Sequence, residues 1–154
     1  APFAFDLDYR PGHGIERMRV GTPSVLQMAA LEASLDIWVN VDMVALRAAS
    51  VALPEQFISG IEAHCPMLTL ASPRDPSERG SQVSFRFVEG YAAMQAGIAR
   101  GVVGDFRAPN IMRFGLTPLF IDQSEVTKAI DTISDIMTNA LWNNPVYKQK
   151  AAVT

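Results

Sequence analysis

Apolar positions recur at helical spacing from about residue 22 to residue 64, and from residue 67 onward the pattern turns to short alternating runs separated by punctuation. Thr22 reads as an N-cap with Pro23 at the first helical position, followed by Val25, Leu26, Ala29, Ala30, Ala33 and Ile37 on one stripe. The small residues on that stripe favour close packing. Asn40 and Asp42 mark a break and a second N-cap. The stretch "MVALRAASVALPEQFISGIEAH" then continues as helix, kinked or restarted at Pro54 because proline removes a backbone donor.

The second half predicts strands at "MLTLAS" and "SQVSFRF", parted by the polar loop "PRDPSERG". A helix from about Glu89 to Arg100 follows, closed by Gly101. Then "VVGDFR" and "IMRFGL", joined by a turn at "APN", form a plausible antiparallel pair. The last helix, roughly Ser124 to Leu141, has Ser124 as its cap and Val126, Ile130, Ile133, Ile136 and Met137 as its apolar stripe. Residues 1–21 show no helical period, and "ERMRVG" alternates enough for a short strand. The order α, α, β, β, α, β, β, α predicts an α+β fold: a small antiparallel or mixed sheet with helices packed on one face, preceded by a long linking helix. The expected organisation is a lead-in arm over 1–22, linking helices over 23–63, a small domain over 64–145 and a frayed tail over 146–154. Neither internal repeats nor low-complexity segments occur.

Composition narrows the function classes. With 154 residues, 49% of them hydrophobic and 19% charged, the chain can bury a real core. A net charge of -3 with the two signs interspersed offers no basic stripe, which argues against nucleic acid. No apolar run is long enough to span a membrane and the first residues do not have the layout of a signal peptide, so a cytoplasmic location and no membrane partner are expected. Cys65 with His13 and His64 falls short of a zinc site, and no metal is expected.

No self-sufficient catalytic motif is present. Cys65, before a proline at a helix-to-strand junction, reads as a small buried hydrophobe rather than a nucleophile, His64 as a helix-end cation and His13 as a loop residue. Lys128, Lys148 and Lys150 fall in the last helix and tail, where solvated charge is the default. Arg113 stands out because Met112, Phe114 and Leu116 share one face of their strand while Ile111, Arg113 and Gly115 share the other. Gly115 would leave room beside a guanidinium, and that planar fork of donors suits a carboxylate. The plainer reading, a surface arginine paired with an acid such as Asp105, stays open. Gly21, Thr22 and Pro23 precede a helix whose unpaired amides and dipole favour an anion, with the Thr22 hydroxyl as a further donor. Equally, Thr22 could simply cap its own helix.

At "RMRVGTPSVLQMAALEASLD", "ASPRDPSERGSQVSF" and "RGVVGDFRAPNIMRFGLTPLF" the chain resembles the C-terminal part of bacterial kynureninases, over nearly its whole length. These are fold-type I enzymes, similar to class V aminotransferases, that use pyridoxal 5'-phosphate to cleave L-kynurenine to anthranilate and L-alanine in tryptophan degradation. The resemblance implies that Arg113 grips the substrate α-carboxylate and that Thr22 reaches the cofactor phosphate across a homodimer interface. It also implies that the cofactor serves as electron sink while the Cβ–Cγ bond breaks. The family's Schiff-base lysine with its preceding tyrosine, the aspartate facing the pyridine nitrogen and a phosphate-holding tryptophan have no counterpart here. The chain is therefore expected to lack the large domain, to hold no catalytic residue of its own and to be inactive alone. Preference for kynurenine over 3-hydroxykynurenine is left open. Two other readings stand beside it: a related class V or desulfurase homologue, which would need a reactive cysteine on a mobile loop, and a free-standing carboxylate-binding or interaction module.

Overall fold

The computed structural model describes residues 7, 8, 10–18 and 21–149, and the chain divides into two units, 1–41 and 42–154.

In the first unit, Gly14–Met18 forms a 3-10 helix, begun by Gly14 at φ +53° and a bond from the Glu16 amide to the His13 carbonyl at 3.1 Å. The strand expected over "ERMRVG" is thus replaced by a turn as far as Met18, and Arg19 and Val20 lie outside the described residues. Helix α1 spans Val25–Leu35 and tightens into a 3-10 turn over Asp36–Trp38. Its N-cap is Ser24, not Thr22, and the first helical bond runs from the Met28 amide to the Ser24 carbonyl at 3.0 Å. Two cap-type residues flank Pro23, and the chain uses the later one. Within α1 no residue is buried.

The second unit holds the core. Helix α2, Met43–His64, is capped as expected by Asp42, whose carboxylate accepts from the amides of Val44 and Ala45 at 2.8 and 3.2 Å. It runs through Pro54 as a single element without restarting. Strands β1 (Thr69–Leu70), β2 (Gln82–Arg86), β3 (Asp105–Arg107) and β4 (Ile111–Gly115) make one antiparallel sheet in the order β1-β2-β4-β3. Between β2 and β3 lies α3, Gly90–Ile98, stopped where Gly101 adopts φ +88° and its amide and that of Val102 bond back to Ile98 and Gly97. The 3-10 turn Pro76–Glu78 in the loop before β2 is tied to α2 by Arg47, which donates to the carbonyls of Pro76 and Arg79, and by the ion pair of buried Arg79 with Glu55.

Helix α4, Gln123–Thr138, buries the expected stripe of Val126, Ile130, Ile133, Ile136 and Met137. Its cap, however, is Asp122 rather than Ser124. The Asp122 carboxylate accepts from the amides of Ser124 and Glu125 while Glu125 accepts from the Asp122 amide, all at 2.8 to 2.9 Å. That reciprocal box satisfies three orphan amides, more than a serine hydroxyl could. Part of the expected frayed tail, from residue 146, is ordered instead: a short helix α5 (Pro145–Lys148) is capped by Asn144, and the Tyr91 hydroxyl donates to the Gln149 carbonyl at 3.1 Å. Tyr147 packs partly against the core, which is what holds this segment down.

Phe57 of α2 lies against Phe85 of β2 and Phe114 of β4, with ring centroids 6.1 and 5.0 Å apart. Around it Ile58, Ile61, Val83, Met94, Met112, Val126 and Ile136 complete a core on one side of the sheet. This is the α+β arrangement expected, with helices on one face. α2 and α4 approach each other at Gly60, where an added Cβ would meet Cδ1, Cγ2 and Cγ1 of Ile130 at 2.6, 2.9 and 3.0 Å. Because the whole Ile130 side chain would have to move, Gly60→Ala should destabilise the fold by about 1 to 3 kcal/mol despite its better helix propensity. A urea midpoint that is unchanged or raised would show that the two helices are not in that contact.

Candidate functional site

The pairing of β2 with β4 sets Val83 opposite Phe114 and Phe85 opposite Met112 on the core side. By alternation it sets Gln82 opposite Gly115, Ser84 opposite Arg113 and Arg86 opposite Ile111 on the other side. The β3–β4 pairing extends those rows, placing Asp105 opposite Arg113 and Arg107 opposite Ile111. Ser84, Arg113 and Asp105 therefore form one polar row across three strands on the face away from the helices.

The Arg113 side chain is held from one side, by Asp105. Its Nη2 donates to Oδ2 of Asp105, its Nε is buried without a partner, and the residue is half-buried. Nη1 bonds to no described residue. Beside it, a Cβ built on Gly115 would meet nothing within 4 Å, so the space predicted next to the guanidinium is open. On the edge side the strands are close, since a Cβ on Gly104 would stand 2.8 Å from the Arg113 carbonyl oxygen and 2.7 Å from Met94 Sδ. Only glycine lets β3 approach there. The same Oδ2 of Asp105 lies 3.3 Å from Arg107 Nε.

The hydrogen bond from Arg113 holds the Asp105 carboxyl below the usual carboxylate range, and the charges of Arg107 and Arg113 add to it against a desolvation cost. Both readings of Arg113 thus meet in one place. The plain ion pair with Asp105 is formed, while half of the guanidinium fork stays free beside an open position.

The other residues singled out belong to other elements of the chain. Thr22 is exposed in the first unit, and no side chain caps α1, so neither Thr22 nor Ser24 spends its hydroxyl on the helix. Cys65 is fully buried, 3.7 Å from the Ser134 hydroxyl, and burial pushes its thiol pKa up. His64 ends α2 and is exposed, and His13 is exposed at the start of the first 3-10 turn. Lys128 is exposed on α4, Lys148 Nζ donates to Asn143 at 2.6 Å and lies over the Trp142 ring, and Lys150 is outside the described residues. Sequence reading missed Arg107 and Ser84. Arg107 carries a local signal, since it lies two residues from Asp105 and so on its face; Ser84 carries none, because only the long-range β2–β4 register brings it to Arg113.

A family model described as "Kynureninase C-terminal domain" matches residues 46–133. The kynureninase of Burkholderia mallei (strain SAVP1) is 42% identical over 156 residues, covering 100% of this chain and 38% of that protein. The kynureninase of Pseudomonas fluorescens is 42% identical over 154 residues, covering 99% of this chain and 37% of that protein. The chain thus spans about two fifths of the length of these curated relatives. Among solved structures, a "NifS-like protein" superposes with a TM-score of 0.64 at 18% identity, over 84% of this chain and 38% of that one, a likeness of fold alone.

The Asp105 pair makes a pH prediction with a definite sign. A carboxyl whose folded pKa is depressed contributes stability above its unfolded pKa and loses it as pH falls through the folded value. Titration of the Asp105 carboxyl carbon by NMR should give a midpoint below the ordinary aspartate range, and Arg113→Gln should move it upward. An unmoved midpoint would show that Arg113 is not its partner in solution.

Proposed function

The chain belongs to the kynureninase C-terminal domain family, and from that we propose that it supplies the substrate-orienting part of a pyridoxal-phosphate-dependent hydrolase cleaving L-kynurenine to anthranilate and L-alanine. The observation that carries this reading is Arg113: a guanidinium fixed on the outward face of the sheet, with Nη1 free and open space at Gly115. Two parallel hydrogen bonds from such a fork define the position and the plane of a carboxylate. Fixing the α-carboxylate in this way holds the amino acid so that the bond to be broken keeps one orientation, which lowers the entropy lost on reaching the transition state.

Pyridoxal phosphate, when bound, supplies an electron sink for breaking the Cβ–Cγ bond. From this chain, Thr22 fits a role in holding its phosphate. The hydroxyls of Thr22 and Ser24 are not used in capping α1, which leaves the start of that helix able to accept an anion. The first unit also exposes Val25, Leu26, Met28, Leu31, Leu35 and Ile37. Apolar side chains exposed around the helix call for a cover, and a homodimer in which Thr22 serves the partner's cofactor supplies one. The desulfurase alternative finds no support in Cys65, whose thiol is buried and less acidic than an ordinary cysteine.

In the full-length protein, Arg113→Lys keeps the charge but loses the fork. It should lower kcat/KM for kynurenine by about one to three orders of magnitude, the loss expected for one or two charge-assisted bonds. Wild type and variant should bind a kynurenine analogue without the α-carboxylate equally well, and equal impairment with that analogue would refute the clamp.

Thr22→Ala should weaken cofactor binding by about 1 to 2 kcal/mol. Because Thr22 is not the cap, helix content by circular dichroism should not change. In hybrid dimers with a variant lacking the Schiff-base lysine, activity should depend on which subunit carries which change; activity that averages the two parents would rule out a shared site.

A further inference from the structure

We propose that Asp105 is a resident counter-ion that occupies Arg113 until a substrate carboxylate displaces it, and that Arg107 takes over the displaced aspartate. The proposal rests on the reading of Arg113 as a carboxylate clamp and adds two positioning residues to it. Three features of the sheet support the exchange.

The first is a charge imbalance. The outward positions of β2, β3 and β4 carry Gln82, Ser84, Arg86, Asp105, Arg107, Ile111, Arg113 and Gly115, so Asp105 is the one acid among three arginines. Its Oδ2 is shared by Arg113 and Arg107. Arg86, on the far side of Ile111, has no ion pair among the described residues. A second carboxylate entering this row meets an excess of cations, with no need for a proton to move.

The second is geometry. The Asp105 carboxylate engages Nη2, one of the two terminal nitrogens that a bidentate ligand needs, while the buried Nε cannot be reached from solvent. A substrate carboxylate must therefore compete with Asp105 for Nη2. Arg107 Nε already stands 3.3 Å from the same oxygen, so the aspartate can leave Arg113 without becoming unpaired.

The third is the environment. The Asp105 side chain is 48% exposed and β3 is an edge strand of the sheet, three residues long. Turning the carboxylate from one guanidinium to the other takes place in water and moves no core atom. Contrast Arg79 with Glu55, where the guanidinium side is only 3% exposed and the pair cannot open without burying a bare charge.

The test is a cycle of variants in the full-length protein, assayed with L-kynurenine. Removing the competitor with Asp105→Asn should lower KM by about two- to five-fold, the range set by an exposed ion pair. Asp105→Ser serves in its place if the amide variant folds poorly. Arg107→Gln should raise KM by a similar factor, because the displaced aspartate loses its second partner. In the Asp105→Asn background, Arg107→Gln should have no further effect. A raised KM for Asp105→Asn would overturn the proposal by showing that Asp105 orients Arg113 instead of competing for it. An equal effect of Arg107→Gln in both backgrounds would overturn it by showing that Arg107 acts independently. Either result, with Arg113→Lys still impaired, sinks the exchange and leaves the clamp standing; an unimpaired Arg113→Lys takes down both.

Discussion

The register between β2 and β4 decides both faces of the sheet at once. Side chains alternate strictly along a strand, so a slip by one residue would carry Phe85 and Phe114 into solvent and push Ser84 and Arg113 under Phe57. The apolar penalty for that slip is several large side chains. A charged guanidinium beneath the helices would add far more, because nothing there can pair with it. The packing of Phe57 on two neighbouring strands therefore fixes the position of Arg113 as firmly as any contact Arg113 makes itself.

On the outward face the rules are those of partly solvated charge. Arg113 is buried at Nε, while its tip, paired with Asp105, is partly exposed. Arg79 shows the other regime within the same fold, a deeply buried guanidinium paired with Glu55 that pins the loop before β2 to α2. One guanidinium is sealed from water and the other is partly open to it; the difference between them is solvent access, not residue type.

What was legible in the sequence follows the range of the interaction that determines it. The faces of β4 and the stripe of α4 were readable because period alone decides them, and the pairing of Asp105 with Arg113 because a tight turn fixes the hairpin register close by. Both helix caps that were misplaced, Thr22 for Ser24 and Ser124 for Asp122, erred by two residues. In each case cap-type residues stand within two positions of one another, and local preference cannot choose between them. The segment after Asn144 looked unstructured because its order depends on Tyr91 and the surface of α3, which no local pattern announces. Ser84 was out of reach for the same reason. The roles proposed for Arg113 and Thr22 rest on resemblance, and spacing alone leaves them undecided.

Gly115 offers a different kind of freedom. It lies on the outward side of the pleat with nothing near its missing side chain, and its backbone is not in the left-handed region that reserves a site for glycine. A Cβ there meets no steric or conformational barrier, and it points away from the core on the opposite face. The fold thus keeps one position beside Arg113 where a first side-chain atom can be added without strain. A small sheet of this kind can diverge in specificity while its architecture stays constant.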